Sequence, residues 1–168
     1  REKAAEAWVE QAFRFYEQDN PGMAMRRFNQ AWLLDPTNPE VFWGFGSILH
    51  DQEKMCEAMT HFEKALKAGR YISGLYPDAG RVFSECAVEN KGLSADDRQK
   101  LYDRADVLFA QAAEKDKNKG YVYVTWAIAY YLREQYPQSW EMVKKARENG
   151  GEVPPQFLAM LRSKMAEP

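Results

Sequence analysis

Two histidines and two cysteines are the side chains from which metal or nucleophilic chemistry would have to be assembled. His50, Cys56 and His61 lie six and five residues apart, spacings that match no zinc-ligand pattern, and no second ligand pair follows nearby. Cys86 with either histidine is the one conceivable thiol–imidazole dyad, but no orienting third group or oxyanion loop accompanies it. Trp43-Gly44-Phe45-Gly46 holds a G-x-G without the preceding strand or the third glycine of a dinucleotide loop. The carboxylates, among them Asp96, Asp97, Glu2, Glu6, Glu10 and Glu17, are scattered along exposed helix faces and first turns, where solvation and helix dipoles account for them. No enzymatic activity, metal or cofactor is expected from this set. Cys56 and Cys86 are too few for a disulfide scaffold and read as buried thiols, with a single bridge, which would favour an oxidising compartment, as the alternative.

The elements that carry these residues show themselves by arithmetic. Trp8, Ala12, Phe15, Ala24, Phe28, Ala31 and Pro36, advanced by 34, become Phe42, Gly46, Leu49, Ala58, Phe62, Ala65 and Arg70, and only the last changes type. The second half of the pattern returns at Ala105, Phe109 and Ala112 and again at Ser139, Val143 and Ala146. Tyr123, Ala127 and Tyr130 take the places of Trp8, Ala12 and Phe15. Large, small and large residues at i, i+4 and i+7 share one face of an α-helix, so the pattern predicts helices whose bulky side chains seat against small ones of their neighbours. Asp19-Asn20-Pro21-Gly22 and Glu134-Gln135-Tyr136-Pro137 read as turns within hairpins, Asp35 to Pro39 as a junction between them, and Ser94 with Asp97 as a capping box.

These residues resemble the tetratricopeptide repeat family, whose 34-residue unit follows a W-x2-L-G-x2-Y…A-x3-F…P pattern. The resemblance extends over nearly the whole chain and implies one all-α domain over residues 1–168, a right-handed α-solenoid. Its helix-turn-helix units fall at about 5–38, 39–72, 80–119 and 120–153, with a capping helix at about 154–166 that turns Phe157, Leu158, Leu161 and Met165 inward. Ser73 to Ala79 are left between the second and third units. The third is six residues longer than the others, a difference assigned to the turn Lys91 to Asp96, and carries Asn90 where an aromatic is expected. The run Gly120 to Leu132 starts with strand-like composition, yet its register with Trp8, Ala12 and Phe15 makes it a helix, apolar on all sides and so either buried all round or partly a docking surface.

The resemblance also implies a ligand surface, the stripe one residue beyond the packing face of each first helix. That stripe is Glu6, Val9, Phe13 and Tyr16 in the first unit, Glu40, Trp43, Ser47 and His50 in the second, and Tyr121, Val124, Ile128 and Tyr131 in the fourth. It lacks the Lys, Asn and Arg with which chaperone-binding members clamp a terminal carboxylate. The expected partner is therefore a protein or peptide anchored by apolar and aromatic groups on Phe13, Tyr16, Trp43 and Tyr131. The alternative is a structural subunit that self-associates as a homo-oligomer or joins a larger assembly.

Composition agrees with a folded partner-binding module. Hydrophobic residues make up 45% of 168, charged residues 29% and aromatics 14%, a globular balance. The net charge of −2 is dispersed along the chain, which argues against nucleic acid and anionic membranes. The longest uncharged run falls short of the roughly 20 residues of a membrane span, so a soluble protein is expected. No signal peptide is recognisable, yet the chain opens at Arg1 rather than Met. The compartment is accordingly either cytoplasmic or reached by export after removal of an N-terminal signal.

Overall fold

The computed structural model describes residues 1–168. It contains nine helices and no strand: α1 (Glu2–Glu17), α2 (Pro21–Leu34), α3 (Pro39–Asp51), α4 (Met55–Leu66), α5 (Leu75–Glu89), α6 (Ala95–Lys115), α7 (Lys119–Leu132), α8 (Tyr136–Glu148) and α9 (Pro155–Lys164). The chain divides into two compact units, Arg1–Arg70 and Tyr71–Pro168.

In the first unit α1 pairs with α2 and α3 with α4, and α2 also touches α3. Short polar residues start α2 and α3. The Asn20 side chain accepts from the Met23 N–H ahead of Pro21, and that of Asn38 accepts from the Glu40 N–H ahead of Pro39. Prolines at the first helical position lose no backbone bond there, because that N–H has no partner within the helix. Three of the four hairpin turns, those between α1 and α2, α3 and α4, and α7 and α8, share one geometry. Asp19, Glu53 and Glu134 adopt φ of 55°, 61° and 60°. The following N–H groups of Asn20, Lys54 and Gln135 return to the carbonyls of Phe15, Leu49 and Tyr130 at 2.9, 3.0 and 2.9 Å. One left-handed residue thus closes each helix on its own last turn.

The spacing of large and small residues turns into packing as the sequence implies. Val9, Ala12, Ala24, Phe28, Ala31, Val41 and Ile48 form the buried core of the first unit. The two glycines of Trp43-Gly44-Phe45-Gly46 are there to admit rings. A Cβ on Gly44 would stand 2.1 Å from the Phe28 ring, and one on Gly46 would stand 2.8 Å from that of Phe62. His61 fills the space beside them, its ring 6.4 Å from Phe42 and 5.7 Å from Phe45, with Nδ1 unpaired. Burial, helped by Lys64 and opposed by Glu57, lowers its pKa below the usual 6.5, so the fold favours the neutral imidazole.

Unfolded His61 binds a proton near pH 6.5 and folded His61 only at lower pH, so stability is lost as pH falls through that window. Denaturant midpoints should therefore drop more for the wild type than for His61→Phe between pH 7 and pH 5. Equal drops would show that this ring does not set the dependence.

In the second unit α5 pairs with α6 and α7 with α8, α7 lies against both α5 and α6, and α9 rests on α8. The third hairpin differs from expectation at both ends. Residues 75–79, placed between units by the repeat arithmetic, are helical in α5, and the interhelical turn is only 90–94. The extra length goes into α6, which has 21 residues against 14, 12 and 13 in α2, α4 and α8. Ser94 caps it as the sequence implies, its Oγ accepting from the Asp97 N–H at 3.1 Å.

Asp116, at the end of α6, holds the start of the unit in place. Its Oδ2 accepts from the Tyr71 hydroxyl and the Gly74 N–H, both at 2.7 Å, and its Oδ1 from Ser73 Oγ at 2.9 Å and the Asn118 N–H at 3.0 Å. Burial alone would raise the carboxyl pKa, but the bonds from Gly74, Tyr71, Asn118 and Ser73 outweigh it and hold the pKa below the usual value. A second polar cluster surrounds Arg133, whose side chain is 1% exposed. It donates from Nη1 to Asp106 at 2.8 Å and from Nη2 to Ser84 Oγ at 2.6 Å, and lies 4.7 Å from the Tyr102 ring centroid. Its charge is buried but paired, the condition under which such burial is tolerated.

The cysteines correct the sequence reading. Cys56 and Cys86 are both disulfide-bonded, and neither is a free thiol. Spacing along the chain could not reveal this, because pairing depends on Cβ geometry in the folded state. Protein unfolded without reductant should give no titratable thiol and, after reduction, two. A reading of two without reductant would contradict the bridge.

Candidate protein-docking face

The stripe implied by the repeat divides between the two units. In the first, α1 and α3 bring together Phe13, Tyr16, Trp43, Ser47 and His50. The rings of Phe13 and Trp43 are 5.4 Å apart at 60°, and Phe13 is backed edge-on by buried Phe28 at 5.1 Å. The Tyr16 hydroxyl donates to Asp51 Oδ2 at 2.7 Å, tying the ends of α1 and α3 together, and His50 Nδ1 stands 3.5 Å from Asp51 Oδ1. Ser47 Oγ donates to the Trp43 carbonyl at 2.9 Å and so satisfies itself within its own helix. Phe13, Tyr16, Trp43, Ser47 and His50 are all half-buried. Val9 of the same stripe is only 2% exposed and belongs to the core. Asp51, one residue past the stripe, is the partner of two of its members that the repeat positions did not indicate.

In the second unit the stripe is largely covered by the chain itself. Tyr131 meets Phe157 of α9 edge-on with ring centroids 5.7 Å apart, and Ile128 packs against the cluster formed by Ala127, Trp140, Met142, Val143, Phe157 and Leu161. Val124 is 9% exposed. Tyr121 keeps 41% of its surface exposed but donates its hydroxyl to Asp78, and the burial of that hydroxyl, reinforced by the Asp78 carboxylate, raises its pKa above the ordinary tyrosine range. Beyond Lys119 at its start and the exposed Tyr121, every residue of α7 is buried or half-buried, which accounts for its apolar sides. On its other flank Trp126 stacks on Phe109 at 5.4 Å and 10°.

His61 is held between two phenylalanine rings and Cys56 is in a disulfide, so the spaced His50, Cys56 and His61 are not arranged as ligands. No three His, Cys, Asp or Glu side chains converge in a way that could hold a metal ion. No helix is long and apolar enough to cross a membrane.

No family model and no curated protein matches the chain. Solved structures do. The crystal structure of TTC0263, a thermophilic TPR protein in Thermus thermophilus, superposes with a TM-score of 0.76 at 15% identity, covering 98% of this chain and 84% of that one. The crystal structure of MamA gives 0.60 at 16% identity over 87% and 78%, and that of Pseudomonas aeruginosa PilF gives 0.56 at 21% over 89% and 62%. With the repeated hairpins and their ring-into-glycine packing, these likenesses show that the chain has the tetratricopeptide-repeat fold, an all-α solenoid.

Proposed function

We propose that the chain is a non-catalytic adaptor that binds a protein or peptide segment on the α1/α3 face. The single observation that carries this reading is the Phe13–Trp43 pair. Two large rings lie in contact, half-buried, backed by a rigid core and bordered by a Tyr16–Asp51 hydrogen bond. Aromatic side chains already held in place lose little freedom when a partner covers them, and for that reason they dominate binding energy in interfaces. Ile128 and Tyr131 take a supporting role, since α9 already lies over them, and Tyr121 is the exposed aromatic of the second unit.

The test is co-purification from the source cell with the wild type and with Trp43→Ala plus Phe13→Ala, each first shown to be helical and cooperatively unfolding. The reading expects a protein retained by the wild type and lost from the variant. The same proteins with both would contradict it. A second reading, self-association within an assembly, is favoured by Trp32 and Leu33, adjacent on α2 and 42% and 74% exposed. A sizing measurement that gives a dimer, converted to a monomer by Leu33→Asp, would select that reading.

A further inference from the structure

The proposed docking face is charged as well as aromatic, and its charge is predominantly negative. At 3.6 residues per turn, Glu2, Glu6, Glu10 and Glu17 of α1 all lie within about 60° of Phe13 around the helix, whereas the two cations of α1, Lys3 and Arg14, lie about 80° and 100° away. All four glutamates are exposed. Helix α3 contributes Glu40 and Asp51 and contains no lysine or arginine. Glu40 has a cation within reach, Arg70 at 3.9 Å, and Asp51 accepts the Tyr16 hydroxyl yet keeps a side chain 57% exposed. Apart from Arg1, Lys3 and Arg14, the basic residues of the unit lie on or beside other elements, Arg26 and Arg27 on α2, Lys54 just ahead of α4, and Lys64, Lys67 and Arg70 at and beyond the end of α4.

We infer that the segment bound on this face is cationic and amphipathic, with apolar side chains against Phe13 and Trp43 and lysines or arginines against the glutamates of α1. This rests on the docking face proposed above and names the chemistry of its occupant. An aromatic pair gives affinity to any apolar segment. A border of carboxylates from α1 and α3 raises the encounter rate of a basic segment and repels an acidic one, so the selection is electrostatic. A chain with an overall charge of only −2 can select in this way because acids outnumber bases on α1 and α3.

The experiment uses the whole chain and two synthetic probes: an amphipathic peptide of about 16 residues, long enough for four helical turns, with leucine and phenylalanine on one face and lysine on the other, and its counterpart with glutamate for lysine. Fluorescence anisotropy at low and at physiological salt should show binding of the lysine peptide, weakened about tenfold by salt, and none of the glutamate peptide. Glu6→Lys with Glu17→Lys should weaken the lysine peptide by at least about tenfold, whereas Glu89→Lys with Glu114→Lys, on α5 and α6, should leave it unchanged. Trp43→Ala should abolish it. Equal binding of both peptides that Trp43→Ala removes would overturn the charge assignment and leave the docking face standing. Binding indifferent to Trp43→Ala would overturn both. Equal loss in the two charge-reversed proteins, binding of neither probe, or a dimer of this chain broken by the Glu6 and Glu17 reversals would each overturn the inference of a cationic partner segment.

Discussion

Asp116→Ala is expected to destabilise the Tyr71–Pro168 unit by about 4 kcal/mol, because four donors lose their acceptor together and each buried donor left unpaired costs about 1–3 kcal/mol. The Tyr71 hydroxyl, Ser73 Oγ and the Gly74 and Asn118 N–H groups all converge on a residue that is 5% exposed, where water cannot readily replace its carboxylate. Asp116→Asn keeps one acceptor oxygen and should lie between. The same carboxylate gives the unit an acid limit. Its folded pKa is depressed, so its contribution is complete above the unfolded value near pH 4 and is lost as pH falls through the folded one. Urea unfolding followed by tryptophan fluorescence at pH 7 and pH 3 measures both effects, and the difference between wild type and Asp116→Ala should shrink at the lower pH.

Phe28→Ala should cost the first unit about 3–5 kcal/mol, the usual range for removing a fully buried phenylalanine. Its ring touches Phe13 and Phe45 and occupies the space that a Cβ on Gly44 would need. Gly44→Ala should destabilise by about 1–3 kcal/mol through overpacking. Because the two defects are opposite in volume and share one site, their sum should overestimate the loss in the double variant by at least about 1 kcal/mol. Additive losses in denaturant titrations would show that ring and glycine are not complementary. Since Phe28 also supports Phe13, binding by Phe28→Ala should weaken even at temperatures where the variant is folded.

The hairpins are legible in the sequence because their determinants are local and periodic. Trp8, Ala12 and Phe15 place one face of a helix, the 34-residue shift repeats it, and turn residues such as Asn20-Pro21 and Ser94 act within three or four positions of themselves. Register settles the strand-like start of α7 in the same way. What stays hidden depends on contacts across long stretches of chain. Asp116 reads as an ordinary helix-end acid until Gly74, 42 residues earlier, is seen to donate to it. Arg133 sits in a polar turn sequence, yet its side chain is enclosed by Ser84, Asp106 and Tyr102. The covering of Ile128 and Tyr131 by α9, and the pairing of the cysteines, depend on tertiary geometry that no repeat position encodes. The stripe indicates the half-exposed Phe13 and Trp43 together with Glu6 and Glu40, but that the aromatic residues lie on one continuous face follows only from the ring contact and the Tyr16–Asp51 bond.

The most direct test of the docking face is site-specific photocrosslinking in the source cell, with a photoreactive amino acid placed in turn at Glu6, at Glu17 and, as control, at Arg26 on α2. The account predicts one discrete crosslinked partner protein from positions 6 and 17 and none from position 26. Crosslinks confined to position 26, or none above background at positions 6 and 17, would contradict it.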